Sequence, residues 1–359
     1  MTNSLPRLIA FNLPQFHPIE ENNKWWGEGF TEWTNTAKAK PLFPGHYQPH
    51  VPADLGFYDL RLPEARIAQA ALAKEYGIEG FCYYHYWFGH EKQLLEKPFN
   101  EILLSNEPDF PFCLCWANDT WSGVWHGSPE KVLIKQEYPG IEDEKKHFDF
   151  LIKAFKDKRY ICENNKPVFL VWRPLDIPDT AATIKRWRRI VEKAGLPGIH
   201  LVGIYRPGTF TPEDLGFDAS IYNNNPPLRE WGTWNKPFSF IVNRLLRKLN
   251  IPTVVSYEKA MRFFLPEKMA STQYPSVMHA WDNTPRSGIN GLVFKNSTPE
   301  KFAIALQKAF DLTRAHEGEK RFVFLKSWNE WAEGNHLEPD LRDGLDYLVA
   351  LKRKLDQQK

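Results

Sequence analysis

The sequence predicts an α/β protein of the (β/α)8 TIM-barrel type, with long loops on its working face, above all after the first strand. Three observations lead there. Eight short apolar runs of strand length recur along the chain, longer segments with helical periodicity alternate with them, and the tryptophans gather where the strands end. Strand, helix, strand repetition implies a parallel sheet with right-handed crossovers. Eight strands in that series favour closure over an open doubly wound sheet. A length of 359 residues suits such a barrel, and no internal repeat, low-complexity tract or linker interrupts it, so residues 1–359 are expected to form one domain.

In order, the strands are expected at 8–11, 80–84, 112–116, 168–172, 201–205, 219–222, 277–280 and 322–325. Each is a short, nearly unbroken apolar run, as parallel strands covered on both faces should be. Helices are expected at 63–76, 98–104, 142–155, 179–193, 254–264, 299–316 and 341–355. Pro63, Pro98 and Pro299 fit a first helical turn, Asp179-Thr180 fits a cap, and Gly77 and Gly195 fit C-terminal stops. Between the fifth and sixth strands only a turn around 211–215 is available, so that helix should be degenerate or missing.

Composition narrows the function. A net charge of +2 is the difference between 46 basic and 44 acidic residues, which gives no electrostatic footprint for nucleic acid. The most basic stretch, 185–189, lies in a helical pattern and reads as a solvated face. Of the four cysteines, Cys82, Cys113 and Cys115 fall in apolar strands, and with Cys162 they show no metal spacing; a disulfide framework is not expected. The histidines are scattered, so no metal is expected, and no phosphate loop or dinucleotide fingerprint announces a cofactor. Neither Asp-x-Asp nor a serine nucleophile elbow occurs. The chain opens without a signal-like segment and contains no run long enough to span a membrane, so a cytoplasmic protein is expected.

The most telling stretch is Ser327-Trp328-Asn329-Glu330-Trp331-Ala332-Glu333-Gly334-Asn335-His336-Leu337-Glu338-Pro339. Glu330 and Glu333 leave a buried strand three residues apart, flanked by Trp328 and Trp331. In a helical turn that spacing sets both carboxyls on one face, about 5–6 Å apart at Cβ. Glycoside chemistry needs such a pair, one holding a proton near neutral pH and one ionised, and burial against aromatic surface separates their pKa values. The spacing suits retaining and inverting geometry alike.

Other constellations supply binding candidates. The loop after the first strand runs roughly 50 residues, long enough to be functional, and carries Trp25, Trp26, Glu28, Glu32 and Trp33. Tyr84, His85 and Trp87 end the second strand, and Trp116, Asn118, Asp119 and Trp121 end or follow the third. His279 and Trp281 follow the seventh; Trp328, Asn329, Trp331 and Glu338 complete the set. Short donors and acceptors at strand ends suit hydroxyl recognition, and indole faces suit the CH-rich face of a pyranose. Of the 14 tryptophans only Trp187 falls in an expected helix; Trp172 ends a strand, and Trp125, Trp231 and Trp234 lie in loops.

At these residues the chain resembles a known family. Ser327 to Gly334, closing with Leu337-Glu338-Pro339, is similar to the signature of glycoside hydrolase family 99, the endo-α-1,2-mannosidase group. Leu13-Pro14-Gln15-Phe16-His17-Pro18, the run from Trp25 to Trp33, Gly45-His46-Tyr47-Gln48-Pro49 and the run from Gly80 to Trp87 resemble the WbsX-type proteins, a family 99-like set found in polysaccharide gene clusters and labelled glycosyltransferases. The resemblance implies a (β/α)8 barrel. It also implies that Glu330 deprotonates a sugar 2-hydroxyl, which closes onto its own anomeric carbon as a 1,2-anhydro sugar, while Glu333 serves as general acid and then general base. That chemistry implies an α-linked manno- or rhamno-configured oligosaccharide or polysaccharide as substrate. Ala332 stands where family 99 carries histidine. The expected activity is therefore retaining hydrolysis or transglycosylation in polysaccharide metabolism of the O-antigen or capsule type. The alternatives are a biosynthetic glycosyltransferase and a non-catalytic carbohydrate-binding barrel.

Overall fold

A computed structural model describes residues 5–123, 128–205, 212–222, 251–314, 316 and 321–359. Eight parallel strands form the frame: β1 (Arg7–Asn12), β2 (Gly80–Trp87), β3 (Phe112–Trp116), β4 (Lys166–Val171), β5 (His200–Tyr205), β6 (Ala219–Tyr222), β7, and β8 (Phe322–Lys326). β7 is split into Gln273–Tyr274 and Ser276–Met278 around Pro275, which has no N–H to give to a ladder. The first piece pairs with β6 and the second with β8, so one segment bridges the two ends of the sheet and the array is a (β/α)8 barrel. Register follows the apolar runs: Ile9 lies opposite Phe324, Phe11 opposite Cys82, and Leu114 opposite Phe169. Residues 8–11, 168–171 and 322–325 are fully buried, because in a parallel barrel one face meets the interior and the other meets helices.

Each strand leads to a helix: α1 (Pro63–Glu75), α2 (Lys97–Ser105), α3 (Ile141–Phe155), α4 (Thr180–Lys193), α5 (Pro212–Leu215), α6 (Tyr257–Phe264), α7 (Pro299–Leu312) and α8 (Asp346–Asp356). The expected signals operate. Pro63, Pro98 and Pro299 occupy first turns, the Asp179 carboxylate accepts the Ala182 N–H at 3.4 Å, and Gly77 and Gly195 adopt positive φ beyond α1 and α4. α5 is the single turn anticipated between the fifth and sixth strands, with Thr211 outside the described residues. No helix of the described residues is long and apolar enough to cross a membrane.

Several expectations need correction. The helix expected from 254 begins at Tyr257, because Thr253–Ser256 instead pairs with Leu292–Lys295. The β-branched Thr253, Val254 and Val255 favour the extended form, and the Ser256 hydroxyl caps α6 by accepting the Lys259 N–H at 3.4 Å. α7 stops at Leu312 and not at 316. α8 starts at Asp346 and not at 341, because Asp340 Oδ1 accepts the N–H groups of Arg342 and Asp343 in a turn. The loop after β1 is not irregular throughout: Glu20–Trp26 and Glu32–Lys38 are helical, so Trp25, Trp26 and Trp33 sit on short helices. β2 runs on to include Trp87, and Trp172 lies just past β4. Trp125, Trp231 and Trp234 lie outside the described residues.

One glycine fixes the spacing at the bottom of the barrel. A Cβ on Gly80, the first residue of β2, would stand 2.4 Å from the carbonyl oxygen of Pro111 and 2.8 Å from Ile161 Cδ1. The same carbonyl accepts the Phe81 N–H at 3.0 Å, so it has little freedom to retreat. Gly80→Ala is therefore expected to destabilise the fold by roughly 1–3 kcal/mol, the range for overpacking a core. Urea denaturation at constant m-value checks it, and a variant as stable as wild type would refute the close approach.

Candidate active site

Beyond β8 the chain folds back on itself. Asn329–Glu330 pairs antiparallel with Asn335–His336, and the turn between them is a single 3₁₀ turn, Trp331–Glu333, ended by Gly334. Side chains tie this hairpin to β1: Asn329 Oδ1 accepts the Leu13 N–H at 2.7 Å, its Nδ2 donates to the Leu13 carbonyl at 3.0 Å, and the Trp328 N–H donates to the Phe11 carbonyl at 2.8 Å. Gly334 has φ +54°, and a Cβ there would stand 2.8 Å from Asp282 Cβ. Glycine meets both demands at once. Asp282 in turn donates its N–H to the Glu333 carbonyl at 2.6 Å.

The turn sets Glu330 and Glu333 beside one buried ammonium. Lys326, the last residue of β8, holds its Nζ 3.0 Å from each Glu330 carboxylate oxygen and 4.0 Å from Glu333 Oε2. It also donates to the Tyr84 hydroxyl at 3.2 Å, and the rings of Tyr84, Trp172 and Trp281 surround it with centroids 5.8, 5.5 and 5.7 Å away. Arg286, on the short helix Thr284–Ser287, donates to Glu333 Oε1 and to Glu32 Oε1, each at 2.7 Å. Glu32 Oε1 also accepts the Ala332 N–H at 2.9 Å.

This arrangement separates the two glutamates electrostatically. Burial by itself would raise Glu330, but the Lys326 ammonium on both its oxygens and the nearby Arg286 hold it below the usual carboxylate range. Burial raises Glu333, and the adjacent Glu330 charge raises it further, outweighing the pull of Arg286. The pair titrates as a unit, and its retained proton belongs on Glu333. With that proton in place the two cations Lys326 and Arg286 face the carboxylates of Glu330 and Glu32. Glu333 Oε2 is buried beside Glu330, with the Lys326 Nζ 4.0 Å away.

Strand alternation sorts the other candidates. Along β2, Tyr84 and Tyr86 face the glutamates, whereas His85 and Trp87 turn outward to α3. His85 Nε2 lies 2.9 Å from His147 Nε2, and Trp87 Nε1 donates to Asp143 Oδ2 at 2.9 Å. Burial pushes His85 down to about 3, so its ring is neutral. Trp116 joins this outer layer by donating to the Trp87 carbonyl at 2.9 Å. Asn118 bridges two loops through the Arg173 backbone and the Tyr138 hydroxyl, and Asp119 pairs with Arg173 at 3.1 Å. Trp121 packs against Trp25 and against Tyr86, which faces the glutamates; Trp26 packs on Phe30 and Glu28 accepts from Asn23 at the exposed edge. His279 is packed among Phe302, His336 and Tyr347.

Below the turn lies a supporting layer. Trp331 stacks on His336 with centroids 3.7 Å apart and donates to Glu338 Oε2 at 2.6 Å. Glu338 also accepts from Tyr58 and Gln69, at 2.8 and 2.6 Å; burial lifts it to about 7 against the pull of these bonds. Trp33 donates to the Tyr58 carbonyl at 2.8 Å, and Trp328 is buried against Phe81. The structure thus gathers Glu32, Tyr84, Trp281, Glu330 and Glu333 directly, and reaches Trp121 and Trp25 through Tyr86. Sequence reasoning passed over Lys326, Arg286, Tyr86 and Trp172 as site residues. Two signals were there to be read: a lysine closing an otherwise apolar strand, and Tyr86 two residues beyond Tyr84.

Comparison with known proteins gives the family and the fold. The family described as Glycosyltransferase WbsX matches residues 8–351. The protein WxcX of Xanthomonas campestris pv. campestris, itself uncharacterized, is 38% identical over 353 residues in one strain and over 364 in another, covering 97% and 99% of this chain. The chain spans about half the length of these relatives, 49% and 51%. A solved glycoside hydrolase-like protein superposes with TM-score 0.60 at 15% identity, over 99% of this chain and 95% of its own. A GH99 endo-alpha-mannosidase from Bacteroides thetaiotaomicron superposes with TM-score 0.57 at 14% identity, over 98% of this chain and 97% of its own. These structures share the barrel fold with it. By sequence, the chain belongs to the WbsX glycosyltransferase family.

Proposed function

We propose that this chain is a carbohydrate-active enzyme that breaks α-linked manno- or rhamno-configured glycosidic bonds with net retention, passing the sugar to water or to another sugar hydroxyl. The observation that carries the reading is the split pair, Glu330 held ionised by Lys326 and Glu333 held protonated by burial and by Glu330. The barrel it shares with a family 99 endo-alpha-mannosidase supports the reading at the level of fold.

In this mechanism the Glu330 carboxylate takes the proton of the substrate 2-hydroxyl. O2 attacks C1, the bond from C1 to the leaving oxygen breaks, and Glu333 gives that oxygen its proton. The product is a 1,2-anhydro sugar, with no enzyme atom bonded to carbon. Glu333, now a carboxylate, takes a proton from water or from an acceptor hydroxyl, whose oxygen opens the epoxide at C1. O2 recovers its proton from Glu330, and both residues return to their starting states. Each glutamate works in the protonation state its surroundings favour. Around Ala332, its N–H and Arg286 converge on Glu32 Oε1, and Arg286 reaches Glu333 itself. The indoles of Trp25 and Trp121 supply a stacking rim for the glycan.

The glycosyltransferase name of the family favours a second reading, transfer from an activated donor in polysaccharide assembly. One screen separates the two: defined α-linked manno- and rhamno-oligosaccharides, with and without nucleotide-sugar donors, followed by product analysis. Oligosaccharide turnover without a nucleotide supports the glycosidase reading, and absolute dependence on a nucleotide donor overturns it.

Two further outcomes follow from the geometry. Glu330→Gln and Glu333→Gln are each expected to lower kcat by about 10²- to 10⁴-fold, the usual worth of general acid–base catalysis, with glycan binding retained in calorimetry. Turnover unchanged in both variants would sink the assignment. The kcat/KM profile against pH should be bell-shaped. Activity falls at low pH as Glu330 gains a proton, below the ordinary carboxylate range, and at high pH as Glu333 loses its proton, above that range. Lys326→Met removes the charge that lowers Glu330, so the acidic limb should move to higher pH, by about 1–3 units. An acidic limb left in place would show that Lys326 does not set Glu330.

A further inference from the structure

Behind the turn that carries the glutamates, His50 from the loop after β1 meets two side chains of the loop after β8 at one point. His50 Nδ1 lies 2.8 Å from Asp340 Oδ2 and 3.2 Å from His336 Nε2, and the last two atoms are 3.8 Å apart. The three side chains are well buried, with relative exposures of 13%, 5% and 3% for His50, His336 and Asp340. We propose that His50, His336 and Asp340 form a binding site for a divalent transition-metal ion of the zinc class, which clips the loop after β1 to the loop after β8.

The chemistry of the donors supports this. His336 Nδ1 lies 2.9 Å from the Glu338 carbonyl oxygen, which only accepts, so Nδ1 carries the hydrogen and Nε2 presents a bare lone pair to the cluster. Asp340 Oδ1 is engaged by the N–H groups of Arg342 and Asp343, at 3.0 and 2.7 Å, which aims Oδ2 at the same point. A backbone carbonyl on the far nitrogen of a ligating histidine, and a carboxylate fixed through its other oxygen, are the supports that metal ligands ordinarily have. Without an ion, His50 Nδ1 has one hydrogen to share between two acceptors. With one, His50 places its hydrogen on Nε2, and all three lone pairs are used. The spacing fits as well. Bonds of about 2.05 Å in a tetrahedral zinc site separate neighbouring ligand atoms by about 3.3 Å, and the observed separations of 2.8, 3.2 and 3.8 Å bracket that value.

The position gives the ion a purpose. The ladder between these loops already holds the Ala53 N–H on the Pro339 carbonyl and the Leu341 N–H on the Val51 carbonyl, and His336 carries Trp331 on its face. An ion here fixes the ring on which the turn between Glu330 and Glu333 rests. The sequence shows a histidine and an aspartate four apart, His336 and Asp340, but the third ligand lies 286 residues from His336 and only the barrel brings it in.

The test needs no substrate, so it stands apart from the proposed activity. The chelator-treated, tag-free 359-residue chain is titrated with Co²⁺ while visible absorption is followed, then with Zn²⁺ in competition. One equivalent of Co²⁺ should bind with the intense bands of a four- or five-coordinate site, Zn²⁺ should displace it, and Zn²⁺ should raise Tm by a few degrees. In His50→Ala the affinity should fall by more than the roughly 10- to 100-fold that loss of a supporting partner costs, and the rise in Tm should vanish. X-ray absorption of the zinc-loaded wild type gives a reading that does not depend on any variant folding: two imidazoles and a carboxylate oxygen at about 2.0–2.2 Å. Equal Co²⁺ uptake by wild type and His50→Ala, an unmoved Tm, or a shell without two imidazoles would each overturn the site.

Discussion

The site is organised around the Lys326 ammonium and its contact with both oxygens of Glu330. A charge this deeply buried is expensive unless paired, and removing one partner of such a pair costs about 3–5 kcal/mol. The protein therefore has to hold Glu330 where the lysine is. The hairpin after β8, the Asn329 bonds to the loop after β1 and the cage of Tyr84, Trp172 and Trp281 all meet that requirement. Burial raises Glu333, and once Glu330 is ionised in this place its charge raises Glu333 further. On the proposed mechanism, burial of Glu333 and one lysine at the end of a strand together divide acid from base.

A second requirement follows. Glu333 must stay protonated without being drawn out of reach, and Arg286 holds it by one oxygen only. The guanidinium can sit there because its other arm is neutralised by Glu32, brought in on the helix Glu32–Lys38. Asp282 fixes the segment that carries Arg286: its Oδ1 accepts from Thr284, and its Oδ2 faces His46 and Gln48 of the loop after β1. Loops following β1, β7 and β8 therefore share one polar network. The long loop after β1 belongs to the machinery that sets these charges, and a lid folded only for its own stability would not need such links.

Legibility in the sequence tracks how local each interaction is. The eight strands could be read because parallel strands covered on both faces appear as unbroken apolar runs, as at 168–171 and 322–325. The helix ends at Asp179, Gly77 and Gly195 could be read because capping is decided within a turn. Glu330 and Glu333 could be read because three-residue spacing on a turn is local as well. Thr253–Ser256 was missed because its partner, Leu292–Lys295, lies almost forty residues on. His85 and Trp87 were grouped with Tyr84 although alternation along β2 sends them to the opposite face, where His147 and Asp143 receive them. Lys326 and Arg286 carry no motif of their own. Their importance comes from what the barrel places against them, and the same holds for His50, His336 and Asp340.

Whether such a site hydrolyses or transfers turns on a step the glutamate pair treats alike. On the proposed mechanism, once the first bond is broken Glu333 is a carboxylate beside Lys326 and Arg286, and it would take a proton from whichever hydroxyl reaches it. Water and a sugar hydroxyl offer the same atom, so charge in the cluster cannot choose between them. The choice would then fall to whatever holds the acceptor near Glu333, and Trp121, packed on Trp25, lies against Tyr86, which faces the pair. A rim that stacks a sugar raises the local concentration of its hydroxyl, whereas water needs no such surface. A barrel fold shared with a family 99 endo-alpha-mannosidase and a glycosyltransferase name for the family are compatible on this account: the proposed pair of glutamates would serve both, and the surface around it would select the acceptor.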